Sequence, residues 1–260
     1  MPLGELHKRV ATAALRAAAG LGFALGGSNA LIAHGLIQRP TLDVDLFTDQ
    51  EHGVEAAADA VEAALAAAGL GVERRDKTAG LSDIFYGMGE GLAEWLITAP
   101  GGEQMALQMA YFERGNQPLV MEFGPVLDLE DALGGKVAAL ASRSYERDYW
   151  DTSVALERYT PEQLIGLARR LDPGLQDQDF ADAGRRLDRM ADEAFADLGL
   201  TDQDIVTLRR RFADWPREAE ARAGFVAGAA GRAESESAPA PQTANLPHLP
   251  DRTSSTTPPA

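Results

Sequence analysis

The 260-residue sequence contains no cysteine, which excludes disulfide bonds, cysteine-ligated zinc and thiol catalysis. It also lacks any apolar run near the roughly 18 residues needed to cross a bilayer. Its N-terminus, MPLGELHKRV, has no apolar segment of the kind found in signal peptides. We therefore expect a cytoplasmic protein that does not enter a membrane.

Positive charge is scarce, with 24 basic against 40 acidic residues and a formal net charge of -16. A broad electrostatic grip on nucleic acid normally needs a basic face, so this balance disfavours one but still allows a local basic groove. Lysine is rarer still, since it occurs only at Lys8, Lys77 and Lys136. Arginine supplies nearly all other positive charge, so each lysine marks a position worth attention.

The pattern along the chain predicts an α+β architecture. A first amphipathic helix is expected at 4–19, followed by alternating helical and strand-like segments and then by helices from Asp128 to about Glu220. The expected strands have the sequences GFAL, TLDVDLFT, LGVERR, SDIFYGM, EWLITA, QMALQMAYF and LVMEF. The glycines after Pro100 predict a hairpin turn, and breaks between later helices are expected near Thr160-Pro161, Pro173-Gly174 and Gly199.

Three regions follow from this pattern. We predict a mixed α/β core at 1–126, a helical domain at 127–230 and a disordered tail at 231–260. The tail holds six prolines and eight serines or threonines, with few large apolar side chains. Such a composition buries too little surface to offset the entropy of ordering.

Two carboxylates interrupt the apolar strand TLDVDLF. Residues two apart on a strand point to the same face, so Asp43 and Asp45 should project together while Val44 and Leu46 enter the core. Two parallel carboxylates repel unless a cation lies between them. Mg²⁺ prefers hard oxygen ligands and is commonly held by one or two carboxylates together with substrate phosphates. The strand therefore predicts a Mg²⁺ site.

A glycine turn precedes this strand. Gly26 and Gly27 allow the backbone to approach a phosphate closely, and Ser28 is a candidate N-cap for a helix over 29–35. By itself Gly-Gly-Ser is commonly only a turn with an N-cap. A phosphate-binding turn, a short helix and an Asp-x-Asp strand in this order are far more specific, and they favour phosphoryl transfer.

The stretch GGSNALIAHGLIQRPTLDVDLF resembles the signature of nucleotidyltransferases related to the AbiEii/AbiGii toxins, in the polymerase-β-like superfamily. A second block, DLEDALGGKVAALASRSYERDYWDTSVALERYTPEQLIGLA, is similar to the later motif of that family. Together the blocks cover roughly residues 20 to 170. The resemblance implies a polymerase-β-like nucleotidyltransferase domain with a mixed sheet, acting as the toxin of a toxin–antitoxin pair.

The resemblance also implies roles for individual residues. Gly26, Gly27 and Ser28 would hold the triphosphate of an NTP, and Asp43 and Asp45 would hold Mg²⁺. Lys136 would contact phosphate, and Asp148 or Asp151 would complete the site or position the acceptor. The implied reaction transfers a nucleoside monophosphate to an acceptor, which in related toxins is the tRNA 3′ end, and a cognate antitoxin protein is the implied partner.

Several alternatives remain open at the level of sequence. Lys136 could also be a solvated helix residue, although the rarity of lysine in this chain favours phosphate contact. Arg147 could form a local helix ion pair with Asp148 or Asp151. His34 suits either the site or a helix C-terminus. Arg39 could neutralise phosphate or pair with Asp43.

One expected group is missing from the pattern. Many polymerase-β-like enzymes carry a third acid on a later strand, where QMALQMAYF offers only Gln104 and Gln108. A nucleotide-binding module without transfer activity is therefore an alternative function. A transferase that modifies a protein or small molecule is another, which the acidic net charge favours.

Overall fold

A computed structural model describes residues 4–75 and 91–219 of the protein. The predicted strand at 82–88 and the predicted disordered tail at 231–260 lie outside these residues. The strands are β1 (Ala24–Leu25), β2 (Asp43–Thr48), β3 (Gly71–Arg75), β4 (Leu92–Thr98), β5 (Gln104–Tyr111), β6 (Leu119–Met121) and β7 (Gly124–Val126). The helices are α1 (Glu5–Ala17), α2 (Gly27–Ala33), α3 (Gly53–Ala67), α4 (Leu129–Ser142), α5 (Glu146–Ala155), α6 (Pro161–Leu171), α7 (Asp177–Arg189), α8 (Asp192–Ala196) and α9 (Asp202–Arg211).

The described strands form one mixed sheet in the order β3-β4-β5-β2-β1-β7-β6. β2 lies near its centre, parallel to β5 and antiparallel to β1. Period-two alternation places Val44 and Leu46 of β2 in the core with no exposed surface. The predicted α+β class and mixed sheet are thus confirmed.

Local sequence signals fix several element boundaries as expected. β4 and β5 are joined by the predicted hairpin, in which Gly102 adopts the left-handed conformation with φ of +87°. α6 begins at Pro161, and Thr160 caps it by accepting a hydrogen bond from the backbone of Gln163. The LVMEF strand is shorter than predicted and ends at Met121, because the chain turns there into the antiparallel strand β7.

The later helices pack onto the sheet unit through α4, which contacts α2, α5, α6 and α7. Residues up to Glu220 belong to one compact unit. The domain boundary proposed at residue 126 therefore remains a prediction about independent folding. Among the described residues, no helix is long and apolar enough to cross a membrane.

A buried aromatic cluster fixes α5 against the C-terminal helices. The ring of Tyr149 meets the rings of Phe195 and Phe212 edge-on, with centroids 6.4 and 5.6 Å away. Its hydroxyl donates a hydrogen bond of 2.7 Å to the carbonyl oxygen of Ala183. Because α5 also carries Asp148 and Asp151, this packing determines where those carboxylates lie.

Candidate active site

The two carboxylates of β2 lie on one face of the sheet beside the glycine turn. Asp43 and Asp45 alternate with the buried Val44 and Leu46, as predicted. Asp45 packs so closely on the turn that a Cβ added to Gly27 would lie 1.8 Å from its Oδ2 atom. Gly27 also has φ of +55°, so both space and backbone conformation require glycine there.

The electrostatics of this pair favour a bound cation. Burial, followed by repulsion from Asp43, raises the pKa of Asp45 from 3.8 to about 7, although Lys136 and Arg147 partly offset the rise. A divalent cation between the carboxylates would remove that repulsion, and carboxylate oxygens are ligands that Mg²⁺ accepts. The residues present therefore fit the predicted metal. Across 4–75 and 91–219, however, no three or more acidic, histidine or cysteine side chains are arranged so that together they could hold a metal ion.

The position of a third acid is occupied by glutamine. Gln108 of β5 lies directly opposite Asp45, and Glu94 of β4 lies opposite Gln108. These three side chains therefore form one row across the sheet. Glu94 is paired with Arg75 at 3.6 Å, on the far side of Gln108 from the carboxylate pair. Among the described residues, the row on this face of the sheet thus has glutamine and not a third carboxylate next to Asp45.

Ser28 does not cap a helix, contrary to the sequence prediction. α2 begins two residues earlier than predicted, at Gly27 with Gly26 as N-cap, and its cap has no side-chain hydrogen bond. The buried Ser28 hydroxyl instead donates to Asp151 Oδ2 at 2.8 Å. Its oxygen accepts hydrogen bonds from Arg39 Nη2 at 2.7 Å and Lys136 Nζ at 3.3 Å. A buried carboxylate and two cations are stronger partners for this hydroxyl than a helix N–H.

Lys136 is buried in this network, so the solvated alternative is wrong. It is 8% exposed. Its Nζ lies 3.3 Å from Asp148 Oδ1 and 3.2 Å from Asp151 Oδ2, and it also contacts Ser28. A lysine ammonium in such a place needs carboxylate partners to offset the cost of leaving water.

Arginines hold both carboxylates of α5. Arg39 Nε and Nη2 donate to the two oxygens of Asp151, each at 2.7 Å, so Arg39 pairs with this residue rather than with Asp43. Arg143 Nε and Nη2 bind Asp148 at 2.9 and 3.2 Å. Burial raises the pKa of each aspartate, but Lys136 and the paired arginine outweigh it and bring both pKa values below the usual 3.8. Both carboxylates are therefore ionised at neutral pH.

Arg147 reaches across to the sheet instead of forming a local helix pair. Its Nη1 atom lies 3.3 Å from Asp43 Oδ2, and its side chain is 38% exposed. His34 is the C-cap of α2, and its Nε2 lies 2.8 Å from the carbonyl oxygen of Leu127, so its ring bonds to backbone at the end of the helix.

Two contributors were missed by the sequence analysis. Arg143 holds Asp148, and the buried Asn29 donates to the backbone oxygen of Asp43 at 2.6 Å. Asn29 directly follows Ser28, and Arg143 lies between Lys136 and Asp148, but nothing in their spacing indicated a partner.

A family profile described as "Nucleotidyl transferase AbiEii toxin, Type IV TA system" matches residues 10–231 of the sequence. The chain belongs to this family. It is therefore a nucleotidyltransferase of the AbiEii toxin family, and the implied identification is confirmed. A search of curated proteins gave no significant match.

Solved structures agree at the level of the fold. MenT4, a nucleotidyltransferase toxin from Mycobacterium tuberculosis, is similar with a TM-score of 0.53 and 14% identity, over 80% of this chain and 82% of MenT4. JHP933 from Helicobacter pylori is 15% identical with a TM-score of 0.49, over 80% of this chain and 91% of JHP933. The similarity to MenT4 supports the nucleotidyltransferase fold of this AbiEii-family protein.

Proposed function

We propose that this AbiEii-family protein uses Mg²⁺ to transfer a nucleoside monophosphate from an NTP to the 3′ end of an RNA, with tRNA as the expected acceptor. The observation that carries the proposal is the contact between Asp45 and the turn at Gly27. This contact supports the proposal, because a Mg²⁺ held by the carboxylates would lie next to phosphates held by the turn.

Formal charge divides the site into two parts. Lys136, Arg39 and Arg143 surround Asp148 and Asp151, which leaves a net charge of +1 beside Ser28. This part suits the triphosphate, which would accept hydrogen bonds from the turn and from the cations. Asp148 and Asp151 act as positioning residues, because they hold the three cations in place.

The second part is negative. Among the described residues, the ion pair of Asp43 with Arg147 is the one salt bridge made by Asp43 and Asp45, so these three side chains together carry a formal charge of -1. These two carboxylates would hold Mg²⁺, which when bound neutralises charge on the phosphates and favours loss of pyrophosphate. Gln108 contributes no charge, so the metal would depend more on the substrate's own phosphates than in a three-acid site.

The reaction balances without another reagent. The acceptor hydroxyl releases its proton to water, and its oxygen forms a bond to the α-phosphorus. The bond from that phosphorus to the bridging oxygen of pyrophosphate breaks, so the products are the extended RNA, pyrophosphate and one proton. Ser28 and Gly27 hold the leaving side. The overall charge of -16 disfavours extended RNA binding, but the arginines around the site supply local positive charge for an RNA end.

The family description supports a cognate antitoxin as partner, and we propose that the protein acts in the cytoplasm, where NTPs and tRNA are available. The antitoxin would restrain the transfer activity. Co-purification of the protein with the product of a neighbouring gene, together with loss of transfer in the complex, would test this part.

The central experiment incubates the protein with each α-³²P-labelled NTP, Mg²⁺ and total RNA. We expect label to enter tRNA-sized RNA and to be lost with EDTA or in Asp45→Asn. Asp59→Asn is the matched control, since Asp59 is an exposed acid paired with Arg74 on the edge of the sheet. Labelling of protein or small molecules instead of RNA would support the alternative acceptors, and NTP binding without any transfer would contradict the proposal.

A further inference from the structure

An exposed aromatic side chain stands beside the carboxylate pair and has no part in the functions assigned above. Tyr145 is the N-cap of α5 and is 45% exposed. The guanidinium carbon of Arg143 lies 5.1 Å from its ring centroid, and that of Arg147 lies 5.9 Å away. Arginine and tyrosine stacked in this way give a flat surface on which an aromatic base can stack.

The backbone that positions Tyr145 adopts an unfavourable conformation at the preceding residue. Ser144, the preceding residue, adopts the left-handed conformation with φ of +54°, which is unfavourable for a residue other than glycine. Its hydroxyl donates to the carbonyl oxygen of Leu140 at 2.6 Å and accepts from Arg186 Nη1 at 3.1 Å. Strain maintained by surrounding contacts, next to an exposed aromatic ring, is typical of a binding site.

The surface formed by Tyr145 and its stacked arginines lies near Asp43, at the end of the carboxylate pair that is away from the glycine turn. Asp45 contacts Gly27, whereas Asp43, about 7 Å further along the strand, contacts Arg147. Leu42 comes directly before Asp43 and is 81% exposed, so a large apolar side chain is also presented at this end. The order along the site is thus turn, Asp45, Asp43, Arg147 and Tyr145.

In nucleotidyl transfer the attacking and leaving oxygens lie on opposite sides of the α-phosphorus. The glycine turn binds the leaving side, so the attacking oxygen approaches from the side of Asp43. We propose that Tyr145 and Arg147 form a stacking platform for the terminal nucleobase of the RNA acceptor. This inference rests on the proposed function, and it assigns the base to the acceptor rather than to the NTP.

The test measures KM for total tRNA and KM for the preferred NTP separately, in wild type, Tyr145→Ala and Tyr145→Trp. Loss of one base–aromatic stacking contact weakens nucleic-acid binding by about tenfold or more. Tyr145→Ala should therefore raise KM for tRNA by about that factor and raise KM for the NTP much less, while Tyr145→Trp restores a low KM for tRNA. Arg147→Gln should also raise KM for tRNA.

Matched controls separate stacking from general damage. Arg74 is also stacked on an aromatic ring, 5.7 Å from Trp95, and paired with Asp59, but it lies on an edge strand, so Arg74→Gln should leave both KM values unchanged. Val206→Ala removes a 60% exposed apolar side chain from α9 and should be equally neutral. Thermal melts of each variant verify folding.

A second RNA acceptor, without its terminal base, tests directly whether that base is bound. Wild type should prefer a tRNA with an intact 3′-terminal base to the same RNA with an abasic 3′ nucleotide, and Tyr145→Ala should lose that preference. A change confined to KM for the NTP, or no change in either KM, overturns the platform. If wild type labels no RNA at all, the proposed function fails first, whereas normal RNA labelling by Tyr145→Ala refutes the platform alone.

Discussion

Replacing Asp45 with asparagine should stabilise the metal-free protein at pH 8 while abolishing nucleotidyl transfer. Asparagine has nearly the same shape as aspartate but carries no charge. It therefore removes both the cost of burying the Asp45 carboxylate and its repulsion by Asp43, which are the two causes of the raised pKa. It also removes a ligand that the proposed Mg²⁺ requires.

The size of the effect follows from the pKa. At 1.36 kcal/mol per pKa unit, a rise from 3.8 in the unfolded chain to about 7 in the folded protein corresponds to roughly 4 kcal/mol. Because the folded pKa is the higher one, the folded protein keeps this proton while the unfolded chain loses it. The free energy of unfolding therefore falls as pH rises from about 4 to 7, and the full loss is present above pH 7.

The assay is thermal or urea unfolding of wild type and Asp45→Asn in EDTA, at pH values from 5 to 8. The stability advantage of the variant should grow across this range toward roughly 4 kcal/mol, or about 8 °C or more in Tm for a chain of this size. Mg²⁺ should narrow the gap by stabilising only wild type, by about 2.7 kcal/mol at 100 times Kd. Asp148 and Asp151 have lowered pKa values and are present in both proteins, so their opposite pH dependence cancels.

Two results would refute this reasoning. A stability difference that stays constant between pH 5 and 8 would show that Asp45 does not carry the proposed burial and repulsion. A variant less stable than wild type at pH 8 in EDTA would show that the Asp45 carboxylate stabilises the apoprotein. Asp59→Asn should leave the pH dependence of wild type unchanged, because Asp59 lies on the exposed surface.

Three further predictions concern the same site. Lys136→Met should lower the free energy of unfolding in urea by about 3–5 kcal/mol, because it leaves buried carboxylates without their cation. Adding Asp148→Asn should recover part of that loss, and additive effects of the two substitutions would contradict the coupling. Gln108→Glu places a carboxylate opposite Asp45, so it should tighten Mg²⁺ binding measured by calorimetry and lower the stability of the apoprotein at pH 8. Unchanged Mg²⁺ affinity would show that Gln108 lies outside the metal site. Gly27→Ala puts a Cβ 1.8 Å from Asp45 Oδ2. The rate of transfer in the labelling assay should therefore fall by about 100-fold or more, even if the variant folds. Near-normal turnover would exclude a close contact between the turn and this carboxylate during catalysis.

Local sequence rules predicted the parts of this protein that depend on local geometry. Strand periodicity placed Asp43 and Asp45 on one face, because alternation is a property of any extended chain. The turn at Gly102 and the helix start at Thr160 were likewise predictable, since positive φ and N-capping have strong residue preferences. The two motif blocks by themselves predicted the family, which the family profile confirms.

Tertiary structure alone decided the partners of those residues. Ser28 bonds Asp151 across 123 positions of sequence, and Arg147 meets Asp43 across 104. No periodicity encodes such distances, because they depend on how α4 and α5 pack on α2 and the sheet. The same packing left Ser28 inside a helix rather than at its N-cap and sets the raised pKa of Asp45, since burial and neighbouring charge exist only once the chain has folded.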